Sequence, residues 1–366
     1  MPYEIDFIGV DKETNKDATA ICMRWKNWDG SYTVGVFDGG FTEYGEQMKK
    51  IMDQYYFDGV EGGHIDFVIC SHPHKDHVPG LKTILENFDV DALYMNRPWQ
   101  HIDALYERVK DGRITPKSLE ERLRKKYSDI ADLEDTAIAQ GVPIYDVFEG
   151  DIIEGKLTVL SPSEDFYLDL LAESDKTPAM ESAAQDSILH SLRVLAEKAM
   201  NFIKETWGKD SLKENVSTEP DNETSTVILG DMEGEYFLLT GDVGIRGLRC
   251  AIDYADSIGS SIQENVTFYE IPHHGGRHNV SPSILNDLLG EIVEEGTTAS
   301  KIAFTCTGKG TNHPRQMVVN AFVRRGVKVY TTEGQTIHHK NGDMPDREGW
   351  TSLTTLGFQE DVEDWN

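Results

Sequence analysis

The most informative part of this sequence is the stretch "VICSHPHKDHVPG", residues 68–80. A short apolar run ends in a loop that carries three histidines and one aspartate within six positions: His72, His74, Asp76 and His77. Residues two apart on an extended loop point the same way, so His72 and His74 can hold one metal ion. Asp76 and His77 face differently and can hold a second ion nearby. A polar loop that is rich in histidine by chance would rarely place four such residues at this spacing.

The sequence around this loop alternates between strand and helix patterns. The apolar run "HIDFVIC" (64–70) is typical of a strand that is buried on both faces. The next two segments, "GLKTILENF" (80–88) and "VDALYMN" (90–96), have the patterns of a helix and a strand. Ligands of α/β sheets usually bind at the carboxyl ends of strands, which is where the histidine-rich loop lies. The sequence therefore predicts an α/β fold with a binding site at this loop.

Two strand ends in the second half of the chain carry matching residues. Asp242 ends the second strand of "TVILGDMEGEYFLLTGD" (226–242), and His273 and His274 end "VTFYEIPHHGG" (266–276). Asp242 could be a turn residue, but beside a metal loop its carboxylate can bridge two ions. One of the two histidines closes the second metal site, and we favour His274. The other contacts substrate or orients a ligand.

Two divalent ions in one site support a specific reaction class. They can convert a bridging water into hydroxide at neutral pH and hold both oxygens of an in-line phosphoryl displacement. Neutral imidazoles and carboxylates are ligands that transition metals prefer. The sequence therefore predicts two divalent ions and a hydrolytic reaction that needs no redox chemistry.

The composition limits the partners of this protein. The 366 residues carry a formal net charge of −29, which disfavours extensive binding to duplex nucleic acid. No stretch approaches the roughly 20 apolar residues of a membrane span, and the first residues have no signal-peptide pattern. We therefore expect a cytoplasmic protein without a membrane partner.

The cysteines are far apart, which argues against a cysteine-type zinc site and for reduced, buried thiols: Cys22, Cys70, Cys250 and Cys306.

The motif "HPHKDH" resembles the HxHxDH signature of the metallo-β-lactamase fold. Asp38 in "VFDGG" resembles the acid of that fold that orients a metal-bound histidine, and Asp242 resembles its bridging aspartate. "IPHHGG" and "NHPRQMVVNAFVRRGVKVYTTEGQTI" look more specifically like the hydrolase domain of ComEC-type competence proteins. The resemblance covers roughly residues 1–98, 151–162 and 220–340.

This resemblance implies a four-layer αβ/βα sandwich with its metal site at one edge, between two sheets. It also implies that the two divalent ions are Zn²⁺, with Mn²⁺ as the alternative. It also implies phosphodiesterase or nuclease chemistry by a metal-bridging hydroxide, with Asp76 and His313 as catalytic residues. His313 would bind a phosphate or protonate the leaving group. The alternative is that Asn312-His313 only precedes a helix whose first residue is Pro314. The membrane channel of true ComEC proteins is absent, so DNA uptake is not implied.

One ligand of the first metal site has no clear match. The corresponding segment, "EPDNETS" (219–225), has no histidine, and its candidates are Glu219, Asp221, Asn222 and Glu223. His190 is a further candidate, but it is more easily explained as a surface or packing residue of a helix. His338 and His339 are expected to be exposed near the end of the chain.

The chain organisation is interpreted as one domain over residues 1–366 with helical inserts at about 99–150 and 163–215. The predicted substrate is a small or short anionic phosphodiester. Hydrolysis of a carboxylic ester, thioester or lactone is the alternative reaction, because the same hydroxide can attack a carbonyl. An inactive metal-binding regulatory module is the third possibility, and the unmatched ligand is the feature that favours it.

Overall fold

The computed structural model describes residues 1–13, 15–109, 114–174 and 212–365. Its strands are β1 (Tyr3–Phe7), β2 (Ala20–Lys26), β3 (Tyr32–Gly39), β4 (His64–Ile65), β5 (Phe67–Cys70), β6 (Asp89–Val90), β7 (Leu93–Met95), β8 (Ile144–Tyr145), β9 (Ile152–Ile153), β10 (Leu157–Ser161), β11 (Val227–Asp231), β12 (Tyr236–Leu239), β13 (Val266–Glu270), β14 (Lys301–Thr305), β15 (Val327–Thr331) and β16 (Ile337–Asn341). Its α-helices are α1 (Thr42–Ile51), α2 (Pro79–Asn87), α3 (Ile102–Val109), α4 (Pro116–Lys126), α5 (Ser128–Gln140), α6 (Glu164–Glu173), α7 (Pro220–Glu223), α8 (Ile245–Ser257), α9 (Ile262–Asn265), α10 (Pro282–Leu289) and α11 (Gln316–Arg324).

Two seven-stranded sheets form the centre of the molecule. Their strand orders are β16-β1-β2-β3-β5-β7-β8 and β15-β14-β13-β12-β11-β10-β9. Each sheet is antiparallel on one side and parallel on the other, with β3, β5, β7 and β8 parallel in the first and β12 to β15 parallel in the second. The two halves of the chain therefore build similar sheets.

The apolar pattern of the strands explains why the sheets stack. Phe37 faces the other sheet while its neighbour Val36 faces the outer helices, because successive strand residues point to opposite faces. Phe7 packs edge-on against Phe268 and Phe304 of the other sheet, with ring centroids 5.9 and 5.3 Å apart. These aromatic contacts fill the layer between the sheets.

Helices cover the outer face of each sheet. One apolar cluster joins the first sheet to α1, α2 and α5, and a second joins the other sheet to α8, α10 and α11. The order helix, sheet, sheet, helix confirms the predicted α/β four-layer sandwich. Among the described residues, no helix combines the length and the apolar character that a bilayer span requires.

The first predicted insert contains α3, α4, α5 and the edge strand β8 of the first sheet, and the edge strand β9 of the second sheet follows it. The second contains α6, but residues 175–211, including His190, lie outside the described residues. The organisation as one domain with two inserts stays a prediction.

Two expectations about the last quarter of the chain are wrong. His338 and His339 lie on β16 and are half-buried, not exposed, because the His339 ring stacks on Phe268 with centroids 4.2 Å apart. Helix α11 begins at Gln316 rather than at Pro314, which follows a cis peptide bond.

A buried charge network attaches the C-terminal segment to β1. Arg347 donates to both oxygens of Asp6, at 2.6 and 2.8 Å, and to Glu4 at 3.0 Å. Arg24 donates to the other Glu4 oxygen at 2.5 Å. The side chains of Glu4 and Asp6 are fully buried, and that of Arg347 is 3% exposed.

Replacing Arg347 with alanine should destabilise the protein by about 3–5 kcal/mol, because two buried carboxylates lose their main cation. Denaturant unfolding of the purified variant measures this loss. Lys340→Ala removes a partly exposed ion pair with Asp346 from the same region and is the matched control, with stability close to wild type. Equal stability of Arg347→Ala and the control would contradict the network's structural role.

Candidate metal centre

The site lies where strands from both sheets end at one edge of the sandwich. Asp38 is the next-to-last residue of β3, the histidine-rich loop follows β5, Asp242 follows β12, and the His273-His274 pair follows β13. Two glycines allow β3 and α2 to meet here, since a Cβ on Gly80 would lie 1.9 Å from the Gly39 carbonyl oxygen. This close approach fixes the histidine-rich loop beside the turn that carries Asp38.

Asp242 is the central residue of the site. Its Oδ1 lies 3.2 Å from His77 Nε2 and 4.0 Å from His274 Nε2. Its Oδ2 lies 3.5 Å from His273 Nε2 and 3.8 Å from His72 Nε2. Each carboxylate oxygen therefore faces a different set of imidazoles, and the side chain is only 1% exposed.

The potential ligand atoms form two groups that share Asp242. One group is His72, His74 and Asp242, and the other is Asp76, His77, Asp242 and His274; within each group the atoms lie within 4.8 Å of one another. His274 Nε2 is 3.3 Å from Asp76 Oδ2. The structure thus brings His74, Asp76 and the other predicted ligands to one edge, and their metal-binding roles stay predictions.

Asp38 orients two of the histidines. Its Oδ2 accepts hydrogen bonds from His77 Nδ1 at 2.7 Å and from the Ser71 hydroxyl at 2.6 Å. Because the Ser71 hydrogen is used in this way, the same hydroxyl oxygen accepts from His72 Nδ1 at 3.0 Å. Both Nδ1 atoms carry a hydrogen, so both Nε2 atoms face the site and can bind a metal ion when the imidazoles are neutral.

The two histidines after β13 are oriented in the same manner. Both have left-handed backbone angles, with φ of 49° at His273 and 56° at His274. His274 Nδ1 donates to the Cys306 carbonyl oxygen at 2.8 Å. His273 Nδ1 donates to Asn279 Oδ1 at 2.9 Å, and the Asn279 amide donates to the Asp242 carbonyl oxygen at 2.8 Å. Their Nε2 atoms therefore also face the site, and in the neutral imidazoles these atoms can bind a metal ion.

The buried carboxylates of the site are stabilised by nearby positive charge. Burial disfavours a charged His77, but the carboxylates of Asp242 and Asp38 outweigh it and raise its pKa well above the usual value. Burial likewise opposes charge on His274, yet Asp242 and the hydrogen bond to Asp76 raise its pKa to about 9. Burial lowers the pKa of His72 and of His74. Bound divalent ions would supply the positive charge that the buried carboxylates otherwise draw from protons.

Unsatisfied polar atoms support a metal at this position. His72 Nε2, His77 Nε2 and both carboxylate oxygens of Asp242 are buried without a hydrogen-bond partner. The 3.2 Å contact between His77 and Asp242 is not aligned as a hydrogen bond. Buried polar atoms rarely remain unpaired, and these are the atoms that coordinate divalent metals. The residues therefore fit a two-metal centre.

The four candidates for the unmatched ligand lie at different places. Asp221 accepts from Tyr127 at 2.9 Å and from Lys126 at 3.1 Å. Glu223 accepts from three backbone N–H groups at the start of α8, and Glu219 is exposed at the start of α7. Asn222 is buried and its Nδ2 lies 3.2 Å from His273 Nδ1. The carboxylates of Asp221 and Glu223 therefore already serve structural partners.

His313 lies beside the site on the loop after β14. Arg315 of this loop donates its backbone N–H to the Gly275 carbonyl oxygen at 3.1 Å, next to His274. His313 Nδ1 donates to Asp17 Oδ2 at 2.8 Å. The catalytic roles of Asp76 and His313 stay predictions.

Sequence reasoning missed several residues that support the ligands. Ser71 and Asn279 orient histidines, and Glu270 accepts backbone hydrogen bonds from Thr240 at 2.6 Å and Gly241 at 2.9 Å, immediately before Asp242. Burial raises the pKa of Glu270 to about 8. Ser71 stands inside the histidine motif and could have been singled out, whereas no local signal marks the other two.

Comparisons with known proteins give one family match. Residues 29–150, which include β3, β5 and the histidine-rich loop, match the family model of the metallo-β-lactamase superfamily. A search of curated proteins found no match.

Several solved structures are similar to this chain. Tm1679, a metal-dependent hydrolase of the β-lactamase superfamily, is 13% identical, with 92% of this chain and 98% of that chain covered and a TM-score of 0.43. The hydrolase AbOPH of the β-lactamase superfamily is 10% identical, with 72% and 86% covered and a TM-score of 0.34. A long form of RNase Z from yeast is 9% identical, with 92% and 41% covered and a TM-score of 0.38.

Asp38→Asn should weaken metal binding at His77 by about 10–100-fold, because the amide no longer holds the imidazole with a charged acceptor. Competition with a chromogenic chelator measures the affinity. The control is Asp91→Asn, which alters the partly exposed surface group of His64, Asp66 and Asp91 and should keep wild-type affinity and stoichiometry. Unchanged affinity in Asp38→Asn would contradict its orienting role.

Proposed function

We propose that this protein is a metal-dependent hydrolase of phosphodiesters. The observation that carries the proposal is the buried Asp242 carboxylate, whose two oxygens face two separate groups of potential ligands. Bound there, two divalent ions would supply a hydroxide nucleophile at neutral pH and positive charge for both oxygens of an in-line displacement. The ligands suit Zn²⁺, with Mn²⁺ as the second candidate.

Each residue of the site would have a distinct role in the reaction. Asp242 holds the two halves of the site together, while Asp38, Ser71 and the Cys306 carbonyl keep the histidine Nε2 atoms directed inward. Asp76 has a 28% exposed side chain, so it would lie on the side of the site that the substrate approaches. His273 has a 34% exposed side chain, so it can contact the substrate or complete the first metal group.

The proposed substrate is a small or short anionic phosphodiester rather than duplex nucleic acid. The net charge of −29 repels long polyanions, whereas a single phosphate held at the metal centre gains local attraction. The narrower likeness to the hydrolase domain of ComEC-type proteins supports the same chemistry through the HHGG and NHP motifs.

The first test compares bis-p-nitrophenyl phosphate with an acyl thioester, using protein loaded with zinc or manganese. The proposal expects turnover of the diester that a chelator abolishes and added metal restores. Turnover of the thioester alone would replace the proposal with the carbonyl alternative. Bound metal without turnover of either substrate would favour a regulatory module.

Asp242→Ala should abolish diester hydrolysis, because both ligand groups lose their shared carboxylate. Glu233→Gln, a change at a surface carboxylate that pairs with Lys156, is the control and should keep wild-type rates. Measured kcat/KM for both variants tests the assignment, which is wrong if Asp242→Ala retains the wild-type rate.

A further inference from the structure

Asp17 joins two loops at the border of the metal centre. Its Oδ1 accepts from the Gly308 backbone N–H at 2.9 Å and from the Thr311 hydroxyl at 2.7 Å. Its Oδ2 accepts from His313 Nδ1 at 2.8 Å. Asp17 lies on the loop between β1 and β2, and the other three residues lie on the loop after β14. One oxygen of the Asp17 carboxylate therefore binds the Gly308 backbone and the Thr311 hydroxyl, and the other binds the His313 imidazole.

These two loops contact the residues that form the second metal group. Thr19 donates its backbone N–H to the Asp76 carbonyl oxygen at 3.0 Å. A Cβ on Gly275 would lie 2.5 Å from Pro314 Cβ, so the loop of His313 packs closely against the residue after His274. The Asp17–His313 pair thus borders the Asp76 and His274 side of the site.

We propose that Asp17 is a positioning residue that holds His313 as the proton donor to the leaving oxygen. The inference rests on the proposed function. In the step, a P–O bond forms to the oxygen of a water that has lost one proton to solvent. The bond between phosphorus and the leaving oxygen breaks, and the proton on His313 Nε2 moves to that oxygen. The products are an alcohol and a phosphomonoester, and neutral His313 regains its proton from solvent.

The hydrogen bond to Asp17 occupies Nδ1 of His313. It fixes the orientation of the ring, so Nε2 is the nitrogen that can pass a proton to the leaving oxygen. Burial alone would raise the pKa of Asp17, but the hydrogen bond from His313 and the charge of His274 lower it. Asp17 is therefore ionised at neutral pH.

A purely structural role for Asp17 makes a different prediction. If Asp17 only connects the two loops, its loss should slow hydrolysis of every diester alike. A proton donor matters most when the leaving group is weakly acidic, because an acidic phenol departs without a proton. The dependence of rate on the leaving group therefore separates the two roles.

The experiment measures kcat/KM of wild type, His313→Ala and Asp17→Asn on a series of aryl phosphodiesters from bis-p-nitrophenyl phosphate to diphenyl phosphate. Both variants should lose at least about tenfold more activity on diphenyl phosphate than on the nitrophenyl ester. In Asp17→Asn the amide oxygen can still accept from Gly308 and Thr311, so the loop connection is retained.

Asp11→Asn is the matched control, since it removes the exposed ion pair that Lys309 makes between the same two loops. It should follow the wild-type series, and metal content and melting temperature are measured for every variant. Equal losses on all esters, or a wild type that cleaves only the nitrophenyl ester, would overturn the role of the pair and leave the proposed function standing. A metal-loaded wild type that cleaves none of the diesters would overturn both.

Discussion

The Asp242 carboxylate is buried between imidazoles from both halves of the chain, and the geometry of the site depends on this placement. Keeping a carboxylate charged in such a place is costly without nearby cations. Protonated histidines offer part of the compensation, and divalent ions offer more. The hydrogen bonds of Asp38, Ser71 and Asn279 occupy histidine Nδ1 atoms, which leaves the Nε2 atoms facing this carboxylate and able to bind an ion when the imidazoles are neutral.

The two-sheet architecture places these side chains around Asp242. Ligands from distant parts of the sequence meet because the parallel portions of both sheets end at one edge of the sandwich. The Phe7, Phe268 and Phe304 contacts hold the sheets together beneath that edge. Stacking of the sheets thus brings Asp242 close to His72 and His77, although about 165 residues separate them in the chain.

The sequence was sufficient for the fold because its main signals are local. The strand that precedes His72 and the alternation of Val36 and Phe37 can be recognised from short windows. The orienting residues Asn279 and Asp17 could not be predicted, since their partners are far away or on another loop and neither stands in a recognisable motif. His338 and His339 were placed wrongly because their burial comes from Glu4 and Phe268, contacts that no local pattern reveals.

Shared binding of two metal ions by Asp242 can be tested by anomalous X-ray diffraction at the zinc edge, from crystals of the zinc-loaded protein. Two peaks about 3.5–4 Å apart are expected. One should lie beside His72 and His74, and the other beside Asp76, His77 and His274, with Asp242 contacting both. A single peak, or two peaks that Asp242 does not bridge, would contradict it.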